Sequence, residues 1–370
     1  CSSDLNNNEI NDRSPTKANF WGYSTSGFFA PDRFYSSDKS VGGPTREFRA
    51  MVEAFNKEGI EVWMDVVYNH TGEGGNWDSN FKSFIAGFNS VGGFDTTEYY
   101  LLNTDKRSFN KGATGVDNQL NFANQVNTNL VVDSLTYWAD NMGISGFRFD
   151  LASVLGRTPT TFSSNSPAIT AIRDLALVKN VKITAEPWDN WGSELGNFQS
   201  GWAECNGRYR DATRKYLKGD TSGSDGVSLT NAFNGDWAHF NDNGGSQKTV
   251  NFIVAHDGLN LADMVSYNSD KTRNSSLAAP FGPTDGGTDN NESWDSTGTA
   301  KPADLTVEQF RRQRLRNFWV FQFFSRGVPM IVYGDEFGRT QNGNNNPYSI
   351  DTAATWNNYA MVASNAPQTV

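Results

Sequence analysis

Gly146-Phe147-Arg148-Phe149-Asp150-Leu151-Ala152 reads as a short buried strand that ends on a carboxylate. Side chains alternate along a strand, so Arg148 and Asp150 share one face and Phe147 and Phe149 the other. An Arg two positions from an Asp on one face favours the ionised Asp. An ionised carboxylate at a strand tip, beside a fixed cation, suits attack on an electrophilic carbon. A structural ion pair closing a strand is the competing reading of this segment taken alone.

Working outward, the same cycle of helix, short loop, buried strand and polar tip recurs. Phe48, Met51, Val52 and Phe55 follow helical spacing after Pro44-Thr45, and Gly59 ends the helix. The apolar run Ile60–Val67 is suited to a buried parallel strand and leads into Asn69-His70. Val131, Leu135, Trp138 and Met142 make the stripe of the helix before Gly146, with Gly143 as its stop. A helix over 169–178 then precedes a strand over 181–186 that ends at Glu186. A helix is expected over 208–217, a strand over 251–257 that ends in His256-Asp257, a helix over 307–324 and a strand from Val328 to Asp335. Residues 1–19, about 72–125 and about 266–304 read as loops, the last two long.

This alternation indicates a parallel α/β architecture. Polar residues gathered at the ends of several strands point to a (β/α)8 TIM barrel. A doubly wound dinucleotide fold lacks its Gly-x-Gly-x-x-Gly turn. The 370 residues suit one barrel with inserted loops, so residues 1–370 are expected to form a single catalytic domain.

Net charge is −10 with no long basic run, which argues against nucleic acid. No apolar run is long enough to span a membrane. Cys1 and Cys205 make neither a metal-ligand spacing nor a disulfide framework, and three His residues argue against zinc. The 11 Trp, 12 Tyr and 26 Phe, many among Asn, Asp and Gly, suit the apolar faces and hydroxyl edges of sugars, although core packing accounts for most of them. The Asn-, Thr- and Ser-rich, Lys-poor composition favours a secreted over a cytoplasmic setting.

Three strand tips carry acids that could converge: Asp150, Glu186 and Asp257. A carboxylate nucleophile with a carboxylic general acid is what retaining glycoside hydrolysis needs. Glu186 sits in Thr-Ala-Glu-Pro-Trp, where small and apolar neighbours favour its neutral form, while Arg148 favours the charged form of Asp150.

At these residues the chain resembles the α-amylase superfamily, glycoside hydrolase family 13. The resemblance rests on Asp-Val-Val-Tyr-Asn-His (65–70), Gly-Phe-Arg-Phe-Asp (146–150), Ala-Glu-Pro-Trp (185–188) and Ala-His-Asp (255–257). Within it the chain is most similar to isoamylases and bacterial glycogen debranching enzymes. That similarity is carried by Asn-His-Thr-Gly-Glu-Gly-Gly (69–75), Asp-Leu-Ala-Ser-Val-Leu-Gly-Arg (150–157), Gly-Trp-Ala-Glu-Cys-Asn-Gly-Arg-Tyr-Arg-Asp (201–211) and Gly-Asp-Glu-Phe-Gly-Arg-Thr-Gln-Asn-Gly-Asn-Asn-Asn (334–346).

The resemblance implies Asp150 as nucleophile, Glu186 as acid/base and Asp257 as transition-state stabiliser. It implies His70, Arg148 and His256 around the cleaved sugar, Tyr23 stacked on it and Asp65 in support. The reaction implied is retaining hydrolysis of α-1,6 branch linkages in glycogen or amylopectin by a monomer, with no organic cofactor. A relative acting on α-1,4 bonds or transferring chains, and a glucan-binding barrel that has lost catalysis, are the alternatives.

The resemblance also implies a calcium ion held by Asp32 and a loop after the first strand. That loop, here Ser2-Ser3-Asp4-Leu5-Asn6-Asn7, departs from the family pattern, and Asp32 reads equally as a turn residue paired with Arg33. The family's first barrel strand and its flanking β-domains have no counterpart in the sequence, so seven of the eight strands are expected here, in a catalytic-domain fragment.

Overall fold

The computed structural model describes residues 20–73, 90–104, 109–110, 112–116, 118–220, 227–241, 244–268, 291–298, 301–348, 350–351, 353 and 355–365. The loops expected over 1–19 and the interiors of the two long ones, 74–89 and 269–290, lie outside the described residues.

Contacts divide the chain into two compact units, Gly22–Glu204 and the chain from Cys205 onward together with Phe20 and Trp21. Ten strands occur among the described residues: β1 (Trp63–Val66), β2 (Gly146–Phe149), β3 (Arg157–Thr158), β4 (Thr161–Phe162), β5 (Lys182–Ala185), β6 (Trp188–Asp189), β7 (Gly192–Ser193), β8 (Ala203–Cys205), β9 (Thr249–Asn251) and β10 (Val328–Pro329). In the first unit β1, β2, β5 and β8 pair in parallel in that order. In the second, β9 pairs in parallel with β10. Two small hairpins, β3–β4 and β6–β7, hang from the loops after β2 and β5. Parallel strands alternating with helices are consistent with a (β/α)8 barrel.

The helix Gln125–Met142 precedes β2 because Val131, Leu135, Trp138 and Met142 recur on one face, and all are buried. The Trp138 indole N–H donates to the Phe28 carbonyl at 2.9 Å, which satisfies its one polar atom. Gly143 ends the helix at φ 76°, a left-handed conformation that glycine adopts without steric cost. Gly146 opens β2 where a Cβ would lie 2.5 Å from the Trp63 ring on the neighbouring strand. The helix Pro167–Lys179 starts from Ser166, whose hydroxyl accepts the Ile169 N–H. Val307–Phe324 starts from a capping box between Thr306 and Gln309.

Several expectations change. The helix expected after Pro44-Thr45 runs Gly43–Lys57 with Gly42 as its cap, so Thr45 lies inside it. Of its apolar stripe only Val52 is deeply buried, while Met51 and Phe55 stay 41% and 45% exposed. The strand expected over 251–257 pairs only through Thr249–Asn251, and His256-Asp257 lie in a bend beyond it. The strand expected from Val328 to Asp335 pairs only at Val328–Pro329, and Asp335–Phe337 is a turn of 3-10 helix. In both cases the apolar run continues after its ladder hydrogen bonds stop, and hydrophobicity alone does not mark that point. β8 escaped sequence reading because Ala203-Glu204-Cys205 is too short to show a period.

Candidate active site

Register builds the site. Asp65 on β1 lies opposite Arg148 on β2, which lies opposite Thr184 on β5. Residues opposite each other in a parallel sheet share a face, and residues two further along share it again. Asp65, Arg148, Asp150 and Glu186 are therefore brought to one face at the ends of three adjacent strands. This brings Arg148 to Asp65, 83 positions away, and the Leu151 backbone to the Glu186 side chain, 35 positions away.

Arg148 is the hub. Its Nη1 lies 2.7 Å from Asp65 Oδ1 and 3.8 Å from Asp150 Oδ1, and its Nη2 lies 3.1 Å from Glu186 Oε1. The closest partners of the guanidinium are thus Asp65 and Glu186. Asp150, the neighbour expected from sequence, is the most distant of the three. The Arg148, Asp150 and Glu186 side chains are 14%, 11% and 9% exposed, so this charge cluster is largely removed from water.

Burial pushes the Asp150 carboxyl above its ordinary range. Arg148 opposes that rise, Asp65 adds to it, and hydrogen bonds from Asn69 and Glu186 oppose it. The expectation that Arg148 would dominate is corrected: desolvation of a buried carboxylate outweighs one guanidinium that it shares with two other acids. The Asp150 and Glu186 carboxyls thus both face the one Arg148 guanidinium. Glu186 is 7% exposed and has polar partners that its sequence neighbours did not suggest. Its Oε2 accepts the Leu151 N–H at 2.9 Å, and its Oε1 faces Arg148.

Leu151 presents that N–H from a left-handed conformation, φ 40°, uncommon for a residue with a Cβ. Such strain costs of order 1–3 kcal/mol and collects at sites where the surroundings enforce it. Here it turns the backbone directly after Asp150 toward Glu186.

Asn69 is a site residue that the sequence reading placed at a strand tip and gave no role. Its amide donates to Asp150 Oδ2 at 2.8 Å and to the Asp150 carbonyl at 3.0 Å. The backbone acceptor fixes which way the amide points, so Asn69 Oδ1 faces His70 Nδ1. His70 Nε2 lies 2.8 Å from the Tyr23 carbonyl oxygen. Burial lowers His70 to about 4, so its ring is neutral at pH 7. The Tyr23 hydroxyl donates to Asp65 Oδ2 at 2.6 Å, and burial and the Asp65 charge hold that phenol well above its usual range. Six of the expected site residues, Tyr23, Asp65, His70, Arg148, Asp150 and Glu186, thus form one polar network with Asn69 in the first unit.

His256 and Asp257 belong to the second unit. The His256 ring packs edge-on against Trp21, with centroids 4.7 Å apart. Gly258 follows at φ 80° and donates its N–H to the Asn345 carbonyl at 2.9 Å, which pins the bend. Asp257 acts on the buried Arg214, which burial lowers to about 9 while Asp257, Asp211 and Glu292 hold it up. Arg214 Nε also donates to the Ile253 carbonyl at 2.7 Å. Its signal in the sequence is a cation on the inner face of the helix Gly207–Lys218, which periodicity could have marked.

Asp32 caps a short 3-10 helix by accepting the Phe34 N–H at 2.7 Å. Among the described residues no group of three or more His, Cys, Asp and Glu side chains is disposed to hold a metal. Calcium takes roughly six to eight oxygen ligands, and Asp32 alone does not fit that set. Residues 2–7, the loop expected to complete it, lie outside the described residues. No helix among the described residues is long and apolar enough to cross a membrane.

Comparison with known proteins bears on this arrangement. Residues 95–366 match the family model for the alpha-amylase catalytic domain. The chain is 42% identical to an isoamylase of Flavobacterium sp over 367 residues, which cover 94% of this chain and 45% of that protein. It is 38% identical to a glycogen operon protein GlgX homolog of Mycobacterium bovis, over 94% of this chain and 47% of that protein. The chain thus spans about half the length of the curated relatives it matches. The structure is similar to a pullulanase from Bacillus acidopullulyticus, with TM-score 0.68 and 21% identity over 98% of this chain and 39% of that one, a likeness of fold. A family match over most of the chain, joined to parallel strands that end on clustered acids, identifies this chain as a member of the alpha-amylase catalytic-domain family.

Proposed function

We propose that the chain cleaves α-1,6 branch linkages of glycogen or amylopectin with retention of configuration. One observation carries the reading: Asp150 and Glu186 both face the Arg148 guanidinium, at 3.8 and 3.1 Å, from the ends of adjacent strands. Retaining glycosidases hold their two carboxyls close, roughly 5–5.5 Å apart, whereas inverting ones leave room for a water between them. One guanidinium among three clustered acids favours a state with one neutral acid and one ionised nucleophile.

In the first step an Asp150 oxygen attacks the anomeric carbon and the glycosidic C–O bond breaks. The Glu186 proton passes to the leaving oxygen, and an ester to Asp150 remains. In the second step Glu186, now a carboxylate, takes a proton from water. The water oxygen attacks the same carbon, and Asp150 leaves as a carboxylate. Arg148 offsets the charge that alternates between the two acids, and Asn69 holds Asp150 Oδ2 so that its other oxygen can attack. Asp65 anchors Arg148 and the Tyr23 hydroxyl. Tyr23 and the neutral His70 line the cleaved sugar. The two carboxyls supply both nucleophile and proton, so the scheme requires no organic cofactor.

Identity to isoamylases supports the α-1,6 bond over the α-1,4 bond. Digestion of amylopectin tests it. Linear chains and a rising iodine stain are expected, whereas short oligosaccharides and a falling stain would assign α-1,4 cleavage. Asp150→Asn and Glu186→Gln should each abolish turnover, and full activity in either would overturn the assigned roles.

A further inference from the structure

Directly beyond Glu186 the chain forms the β6–β7 hairpin, with Trp191 at its turn. Trp191 is 44% exposed, although a large apolar ring gains most by burial. It is nonetheless held in place. One face lies over the Arg157 guanidinium, 5.5 Å from the ring centroid, and its backbone N–H donates to Asp189 Oδ1 at 2.9 Å.

The support beneath it is rigid. The Arg157 side chain is 5% exposed, and its two ion-pair partners are the fully buried Asp189 at 2.5 Å and Glu194 at 3.3 Å. Arg157 also donates to the Thr160 carbonyl at 3.0 Å. The hairpin itself is tied down by the Asn190 N–H to the Ala113 carbonyl at 2.9 Å and the Glu194 N–H to the Pro187 carbonyl at 2.7 Å. A buried ion pair of this kind costs desolvation and contributes little net stability. Its effect here is geometric. It fastens the loop after Asp150 to the loop after Glu186 and fixes one exposed indole on top of the joint.

We propose that Trp191 is a sugar-stacking platform that binds a glucosyl unit of the substrate other than the one being cleaved. The proposal rests on the reading of the substrate as an α-glucan. A rigid indole, backed by a cation and 44% exposed, offers an apolar plane to the C–H face of a glucose ring. Among the described residues its indole N–H donates to no protein acceptor, which leaves it for a sugar hydroxyl. Five residues of chain span at most about 18 Å, so the platform lies within a few sugar lengths of Glu186. The ring touches none of the reacting groups, so it acts on affinity and on the choice of substrate, not on the chemical step.

Affinity electrophoresis in gels containing amylopectin tests this without turnover, using Glu186→Gln protein with and without Trp191→Ala. Loss of the indole should weaken retardation by about 3–10-fold in apparent Kd, the range for one aromatic contact. Trp191→Phe should recover part of it. In the active protein, Trp191→Ala should raise KM for amylopectin by a similar factor with kcat unchanged. Equal retardation with and without the indole overturns the platform and leaves the proposed function standing. No retardation of Glu186→Gln protein overturns both.

Discussion

Replacing Arg148 by Met would remove the one cation that three buried carboxyls share. The guanidinium lies 2.7, 3.1 and 3.8 Å from Asp65, Glu186 and Asp150. At an effective dielectric near 20, each such pair is worth about 4–6 kcal/mol before desolvation is counted. The net effect of one Arg on a neighbouring Asp is about 1–3 pKa units. Asp150 already sits above its ordinary range because burial wins, and without Arg148 it should rise by a further 1–3 units or so. The acidic limb of the kcat/KM profile, which reports ionisation of the nucleophile, should move to higher pH by that amount.

Stability should follow the same sign. A carboxyl with a raised folded pKa is stable while protonated, and that stability is lost as pH rises through its folded pKa. Arg148→Met should therefore lose about 3–5 kcal/mol at pH 8, the usual cost of stranding buried charge, and much less at pH 4. Arg148→Lys should restore part of each effect, because an ammonium keeps the charge but cannot span the same oxygens. Initial rates on amylopectin from pH 4 to 9 and urea unfolding at pH 4 and 8 read both. An acidic limb that stays in place, or a stability loss equal at both pH values, would refute the role of Arg148 as shared counter-charge.

Three further perturbations test separate parts of the structure. Asn69→Ala removes a donor that lowers Asp150, so the acidic limb should rise and turnover fall by about 10–100-fold, which corresponds to one hydrogen bond to a charged group. Gly146→Ala would drive a methyl to 2.5 Å from the Trp63 ring and should cost about 1–3 kcal/mol by chemical denaturation, with little change in the pH profile. Asp335 is raised to about 7 by burial, so its contribution is present below pH 4 and is lost as pH climbs to 7. Asp335→Asn should therefore stabilise the protein at pH 8 by up to about 4 kcal/mol and leave it little changed at pH 4. Destabilisation at pH 8 would instead mean that Asp335 works as the ionised partner of Arg339.

The strands that carry Asp65, Asp150 and Glu186, the helix ahead of β2 and the glycine that ends it were all legible in the amino-acid sequence. Each depends on local properties: two-residue and 3.6-residue periods, a cap and a left-handed turn. The identity of the acids was legible for the same reason, since a strand tip is a place in the sequence. What the sequence left open is who touches whom. Arg148 reads as the partner of Asp150 because they stand two residues apart. Only parallel pairing of β1, β2 and β5 shows that Asp65 and Glu186 come closer to it. The charge state of Asp150 follows from that geometry and from burial, because Coulomb energy and desolvation depend on distance through space and access of water. The role of Asn69, the strained turn at Leu151 and the seat of Trp191 on Arg157 are likewise products of the tertiary fold, which alone brings distant segments within the few ångströms at which such forces act.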